Sequence, residues 1–277
     1  MRGRKLSYFI MVLTYVLIIA NGILMVLPFA WMVVSSFKRS SEIYVFPPTF
    51  IPKRPTLEGY ITVFQLVDVT RTFLNTFIYA AGVSLGSTFI ASLAAFSFSF
   101  FKFKGQRLFF SLIISLMAVP FFVYVIPLYV MLVKLHLVNT YFGLILPGLA
   151  SPFSIFMLTQ YMRTMPSEYV DAAKLDGAPY RTIYFRVVLP YCKPVFIMLI
   201  VLTFLSAWTD FFWPLIILRT PDMQTLPVAI ANLSGQYLHY WNVMMAFTTI
   251  AIIPVLIFFI VFRKIFLESA KVMGRLI

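Results

Sequence analysis

The chain has 277 residues, of which 61% are hydrophobic and only 11% charged, with 31 Phe, 15 Tyr and a mean hydropathy of +0.94. A water-soluble fold needs enough polar residues to cover its surface, so this composition excludes the soluble classes and assigns the chain to a bilayer. The net charge of +13 does not indicate nucleic acid, because the basic residues fall between long uncharged runs; the single cysteine, Cys192, excludes an internal disulfide and a four-thiolate metal site.

A bilayer-spanning helix needs about 20 apolar residues. In chain order the expected spans are 9–35, 73–100, 108–132, 140–161, 194–217 and 244–262. The first lies in an uncharged run, Leu6–Phe37, far longer than the roughly 7–15-residue core of a cleavable signal, which predicts a retained span. The outer segment Ser41–Tyr60 carries four prolines and mixed charges and reads as an ordered loop. The second span contains Gly82, Gly86, Ser87, Ala91, Ser92 and Ala94, small residues that let helix backbones approach closely, within the chain or against a partner. Pro28, Pro120, Pro127, Pro147, Pro152, Pro214 and Pro254 punctuate the spans. In lipid the backbone groups that a proline frees must be satisfied by neighbouring helices or a water-lined cavity. Placing the N-terminus inside puts 15 of the 22 Lys and Arg residues in cytoplasmic segments, so both termini are expected there. The predicted fold is an all-α transmembrane bundle of six spans, one transmembrane domain over 1–277.

The segment 163–193 joins spans four and five on the predicted cytoplasmic side. Pro166 suits a helix start, Glu168 and Asp171 place negative charge near the positive helix end, and Gly177 suits a left-handed stop. Pro179 opens a second helix whose Tyr180, Ile183, Tyr184 and Val187 follow the spacing of one apolar face, with Arg181 and Arg186 off it. Two short helices meeting at a glycine suit either the groove of a soluble partner or an anchorage on lipid.

Within this segment "DAAKLDGAPYRTIYFRVVLP" resembles the EAA loop of ABC importer permeases: Glu-Ala-Ala, three residues, Gly, nine residues, then Ile-x-Leu-Pro. Asp171, Ala172, Ala173, Gly177, Val187, Leu189 and Pro190 occupy the matching positions, with Asp171 in place of the glutamate and Val187 in place of the isoleucine. "FLNTF" (Phe73–Phe77), "IPLY" (Ile126–Tyr129), "LVNTYFGLILP" (Leu137–Pro147), "AWTDFFWPL" (Ala207–Leu215) and "TLPVAI" (Thr225–Ile230) are similar to blocks of the carbohydrate-uptake subfamily typified by the maltose permease. The C-terminal "LESAKVMGRLI" resembles the family's tail only loosely.

The resemblance implies a multi-pass permease of a prokaryotic cytoplasmic (inner) membrane, driven by ATP and served by a binding protein. Its implied partners are two ATPase subunits holding ATP and Mg, a second non-identical permease, an extracytoplasmic sugar-binding protein and membrane lipid, with no nucleic acid. Glu168, Asp171, Ala172, Ala173, Leu175, Asp176, Gly177, Arg181, Leu189 and Pro190 would form the contact that couples the chain to the ATPase. A glycerol-phosphate or polyol importer of the same subfamily, or a stand-alone ion-coupled carrier or channel, are the alternatives.

The sequence has no G-x-x-x-x-G-K-[ST] phosphate cradle, since no glycine is followed by lysine. His136 and His239 fall in different predicted outer loops, and no HExxH pair or metal cluster occurs. No catalytic or metal site, and no cofactor of its own, is therefore expected. Asp210 alone among the acidic residues falls within a span, 17 residues after Lys193 and so about 25 Å along a continuous helix. An ionisable residue at that depth is a candidate for the cargo path. Trp208 and Trp213 flank it, and aromatic faces with a carboxylate are groups that recognise sugar rings and hydroxyls. The competing reading makes the tryptophans interfacial and Asp210 merely wetted. Tyr124 and Tyr129 on the third span are further candidates for the path.

Overall fold

The computed structural model describes residues 2–236 and 240–273, with side chains described over 8–235 and 240–263. His239 and the tail from Gly274 lie outside the described residues. Helices form every regular element among the described residues, in the order α1 (Arg2–Ser36), α2 (Ser40–Ile43), α3 (Glu58–Leu66), α4 (Val69–Phe100), α5 (Gln106–Leu116), α6 (Phe121–Lys134) and α7 (Tyr141–Ile145). After a 3₁₀ turn at Leu146–Leu149 follow α8 (Pro152–Met162), α9 (Ser167–Leu175), α10 (Tyr180–Ile183), a π-turn at Tyr184–Val188, α11 (Leu189–Tyr191), α12 (Lys193–Trp208) and α13 (Phe212–Ile217). A second 3₁₀ turn, Pro221–Met223, leads to α14 (Leu226–Gln236) and α15 (Trp241–Met273).

Among the described residues three helices are long and apolar enough to cross a membrane: Tyr8–Ser36 within α1, Val69–Phe100 and Trp241–Arg263 within α15. Three bent pairs bring the count to six if each pair is one span. The third expected span, 108–132, is not one helix: α5 and α6 meet at 100°. Pro120 stands just before α6 with extended backbone and no N–H to offer, so the ladder stops at Leu116 and restarts at Phe121. The fourth expected span bends by 42° between the 3₁₀ turn and α8. The fifth, 194–217, also breaks: α12 ends at Trp208 and α13 begins at Phe212. The proline-rich segment 41–60 closes by opening a helix, since Glu58–Tyr60 belong to α3.

The chain divides into two compact units, 1–69 with 230–253 and 70–229 with 254–277. In the first, the side chains of α1 from Tyr8 to Phe29 are all exposed, as befits a surface whose solvent is lipid. Lys38 is 2% exposed. Its amine sits 4.3 Å from the centre of the Trp31 ring and donates to the Thr49 carbonyl, so the buried charge meets both a π-face and an acceptor. Glu42 accepts from Lys53 N at 2.7 Å, and Thr56 N donates to the Phe37 carbonyl at 2.8 Å, which ties the proline-rich loop down.

In the second unit α4 packs against α7 and the 3₁₀ turn that follows it. A Cβ at Gly82 would stand 2.7 Å from Ile145 Cδ1, one at Gly86 2.5 Å from Leu149 Cδ2, and one at Gly148 2.8 Å from Val83 Cγ1. The small residues of α4 thus lie in direct contact with α7 and its 3₁₀ turn from the same chain, and a larger side chain there would make the ends of Ile145 and Leu149 shift. One to three turns further along, Ala91, Ala95 and Phe96 of α4 join a second buried cluster with Leu158 and Met162 of α8, Val195, Met198 and Leu199 of α12, and residues of the segment between them.

Candidate functional site

Segment 163–193 forms the first candidate site. Pro166 presets the chain at the start of α9, Glu168 lies in its first turn and Lys174 in its last, both signs matching the helix dipole. The Asp171–Lys174 pair, 3.2 Å apart, is exposed on both sides and contributes little. Gly177 stops the helix at φ +74°, with Gly177 N donating to Lys174 O at 2.9 Å and Ala178 N to Ala173 O at 3.0 Å. These two bonds are the paired 5→2 and 6→1 bonds of a Schellman cap, which requires a left-handed residue at this point.

Of α9 only Val170 is buried, at 2% exposed. Leu175 is 89% exposed and Tyr169 60%, and Glu168, Asp171, Ala172 and Asp176 are exposed around them, with Ala173 half-buried.

The second helix differs from its expected face. Ile183, Tyr184 and Val188 are buried, Val187 is half-buried and Tyr180 is 52% exposed. The cause is the π-turn, in which Leu189 N donates to Tyr184 O five residues back. Pro190 has no N–H for the Arg186 carbonyl and its ring crowds that group; the widened turn relieves the clash and moves the apolar stripe by one residue. Arg181 is exposed, Leu189 half-buried and Pro190 exposed. A 76° bend then separates Tyr180–Tyr191 from α12.

The second candidate site is a cavity of about 980 Å³ in the same unit. Tyr79, Phe121, Tyr124, Asp210, Phe212 and Trp213 are among its lining residues. Asp210 occupies the break between α12 and α13, where it accepts from Tyr79 Oη at 2.7 Å and, more weakly, from Trp213 N at 3.4 Å. The carboxylate therefore closes the interrupted helix while keeping one edge toward the cavity. Phe121 meets Tyr124 and Trp213 edge-on at 5.2 and 6.0 Å, making an aromatic wall.

Two candidates for the path stand elsewhere. Trp208, 3% exposed, packs between Phe73 and Phe204 and does not line the cavity, because α12 is still helical there and turns the indole into the packing. Tyr129 does not line it either; its hydroxyl accepts from Arg219. Among the described residues no three His, Cys, Asp or Glu side chains converge as metal ligands would.

The sequence blocks meet at the N-terminal end of α4 in a hydrogen-bonded scaffold. Asn75 donates to the carbonyls of Asp222 and Gln224 at 2.8 and 2.9 Å and accepts from Tyr141 Oη at 2.5 Å. Thr76 Oγ1 accepts from Leu226 N at 2.8 Å. Asn139, at φ +59°, accepts from Arg219 N at 2.9 Å, and Thr140 caps α7 by accepting from Gly143 N at 3.0 Å. Trp213 Nε1 donates to the Leu144 carbonyl at 3.1 Å. Asn75, Tyr79, Asn139 and Tyr141 were not singled out from sequence. Their signal is that polar residues recur inside otherwise apolar blocks, where an unmet hydrogen bond is costly.

Residues 87–271 match the family described as binding-protein-dependent transport system inner membrane component. The chain is similar to the arabinooligosaccharides transport system permease protein AraQ of Halalkalibacterium halodurans, 32% identical over 90% of each chain. It is similar also to the lactose transport system permease protein LacG of Rhizobium radiobacter, 28% identical over 93% of this chain and 94% of that one. The sn-glycerol-3-phosphate transport system permease protein UgpE of Escherichia coli is 30% identical over 82% of this chain and 84% of its own. Among solved structures, a chain of a bacterial ABC transporter involved in the import of the acidic polysaccharide alginate superposes with a TM-score of 0.81, at 22% identity, covering 91% of this chain and 95% of that one. With a family match over two thirds of its length and a full-length relative above 30% identity, the chain belongs to the inner-membrane permease components of binding-protein-dependent transport systems.

Proposed function

We propose that the chain is one of two non-identical permease subunits of an ATP-driven importer for a neutral oligosaccharide. In this reading it crosses the membrane six times, at the six spans expected from the sequence, with both termini in the cytoplasm. The segment 163–193 seats in a groove of a cytoplasmic ATPase subunit, which supplies ATP and Mg chemistry. An extracytoplasmic binding protein delivers cargo to the opposite face. The observation that carries the reading is the exposed Leu175, with Tyr169, on a rigidly capped acidic helix. Buried in a groove, a leucine contributes about 1.5–3 kcal/mol. Glu168, Asp171, Ala172, Asp176 and Arg181 flank that contact; Ala173, Gly177, Leu189 and Pro190 shape it.

Cavity chemistry favours a neutral cargo. Asp210 lines it, Tyr79 is bonded to Asp210, and none of the lining residues is Lys or Arg. A phosphate or carboxylate cargo would meet an uncompensated like charge, whereas a neutral sugar offers hydroxyl donors to the carboxylate and ring faces to Phe121, Tyr124 and Trp213. Arabinooligosaccharide and lactose relatives fit this better than the glycerol-phosphate relative.

The test is to purify the intact complex from its source membrane, identify its ATPase and binding protein, and screen the latter by thermal shift. A ligand at 100 times its Kd adds about 2.7 kcal/mol of stability. A neutral oligosaccharide should give that shift. Absence of an ATPase from the complex, or stabilisation by phosphorylated or acidic ligands alone, would overturn the reading.

A further inference from the structure

Tyr184 is 3% exposed and Ser92 of α4 is fully buried, and their hydroxyls lie 2.6 Å apart. Ser92 Oγ also donates to the Phe89 carbonyl at 2.7 Å. A hydroxyl has one proton, so Ser92 must accept from Tyr184, and the chain of donation runs from Tyr184 through Ser92 to the backbone of α4. The Tyr184 ring meets Phe96 of α4 edge-on at 5.3 Å, and Tyr180 packs on Phe101 at 4.7 Å. Ala91, Ala95, Met162, Ile183, Val188 and Cys192 belong to the same buried cluster as Tyr184. Tyr184 is also the first residue of the π-turn, the feature that directs it inward toward α4.

We infer that Tyr184 is the positioning residue that fastens the ATPase-facing segment to α4, so that displacement of the segment moves α4 with it. The inference rests on the proposed coupling role of that segment. Van der Waals packing alone lets a helix slide over an apolar surface; a buried directional bond to the helix backbone fixes register and rotation. The unpaired, buried hydroxyls of Ser87 and Thr88 on the same helix offer no such fastening, which leaves Ser92 as the polar anchor at this level.

Cys192 reports on this joint. It is the chain's single cysteine, fully buried in the same cluster, so its alkylation rate follows the population in which segment and spans separate. The complex with its ATPase is treated with N-ethylmaleimide, nucleotide-free and trapped with ATP and vanadate, and modification of the Cys192 peptide is followed by mass spectrometry. In the wild type the rate should be the same in both states, because segment and α4 move together. In Tyr184→Phe, which keeps the ring and removes the hydroxyl, the rate should rise roughly three- to tenfold on trapping, the factor that one buried neutral hydrogen bond supplies. Complex yield and ATP hydrolysis should stay within about twofold of wild type. Ser92→Ala should reproduce Tyr184→Phe, the double variant should add nothing, and Ser92→Thr should behave as wild type. An equal acceleration of labelling in both states would mean a merely structural bond and would overturn the inference, as would no acceleration in either variant. Absence of an ATPase from the wild-type complex would instead strike the proposed function.

Discussion

Replacement of Gly177 separates the shape of the ATPase-facing segment from its mere presence. At φ +74° the residue sits where an L side chain is strained, yet nothing lies within 4 Å of a Cβ built there. Gly177→Ala therefore meets only the backbone term, about 1 kcal/mol, roughly a fivefold shift in the equilibrium between capped and uncapped forms. Gly177→Pro is a different perturbation. Proline holds φ near −65°, loses the 2.9 Å bond from Gly177 N to the Lys174 carbonyl, and disfavours the near-helical backbone of Asp176 before it. About 3 kcal/mol or more follows, which dissolves the Schellman cap and frees α9 to reorient. The assay is ATP hydrolysis by the reconstituted complex, with and without loaded binding protein, beside ATP-dependent uptake. Gly177→Ala should stay within about fivefold of wild-type uptake. Gly177→Pro should leave the permease in the membrane and partly assembled, yet hydrolyse ATP without uptake. Normal coupled uptake by Gly177→Pro would refute the rigid-segment reasoning, and equal damage from both substitutions would refute its backbone origin.

Two further substitutions address the scaffold and the cavity. Gly143→Ala puts a Cβ 2.1 Å from the Leu137 carbonyl oxygen, a backbone atom that cannot swing aside, so a loss of about 1–3 kcal/mol or failure to assemble should appear in thermal melts of the detergent-purified protein. Asp210→Asn keeps an acceptor for Tyr79 and should preserve stability, whereas Asp210→Ala strands that hydroxyl at a cost of about 1–3 kcal/mol by the same measurement. Both should slow uptake of a neutral sugar; unchanged rate and specificity in Asp210→Ala would remove the carboxylate from the cargo path.

What the sequence by itself determined is what depends on composition and local backbone chemistry. The excess of apolar residues dictated a membrane-type all-helical chain. Pro166, Gly177 and Pro179 marked the ends of the short helices, because proline and a left-handed glycine act on their own backbone whatever surrounds them. The spacing of Asp171, Ala172, Ala173 and Gly177 pointed to the right family for the same reason: the motif is local. Tertiary structure decided what depends on neighbours far away in the chain. The interruption around Asp210 is held by the hydroxyl of Tyr79, 131 positions earlier in the chain. Trp208 and Trp213 look alike in sequence, yet the first is packed between two Phe rings and the second lines the cavity, since the helix ends between them. Tyr184 stood in the sequence as one member of an apolar stripe. Only the fold brings its hydroxyl to Ser92, 92 positions earlier, because a hydrogen bond between distant residues leaves no local pattern to read.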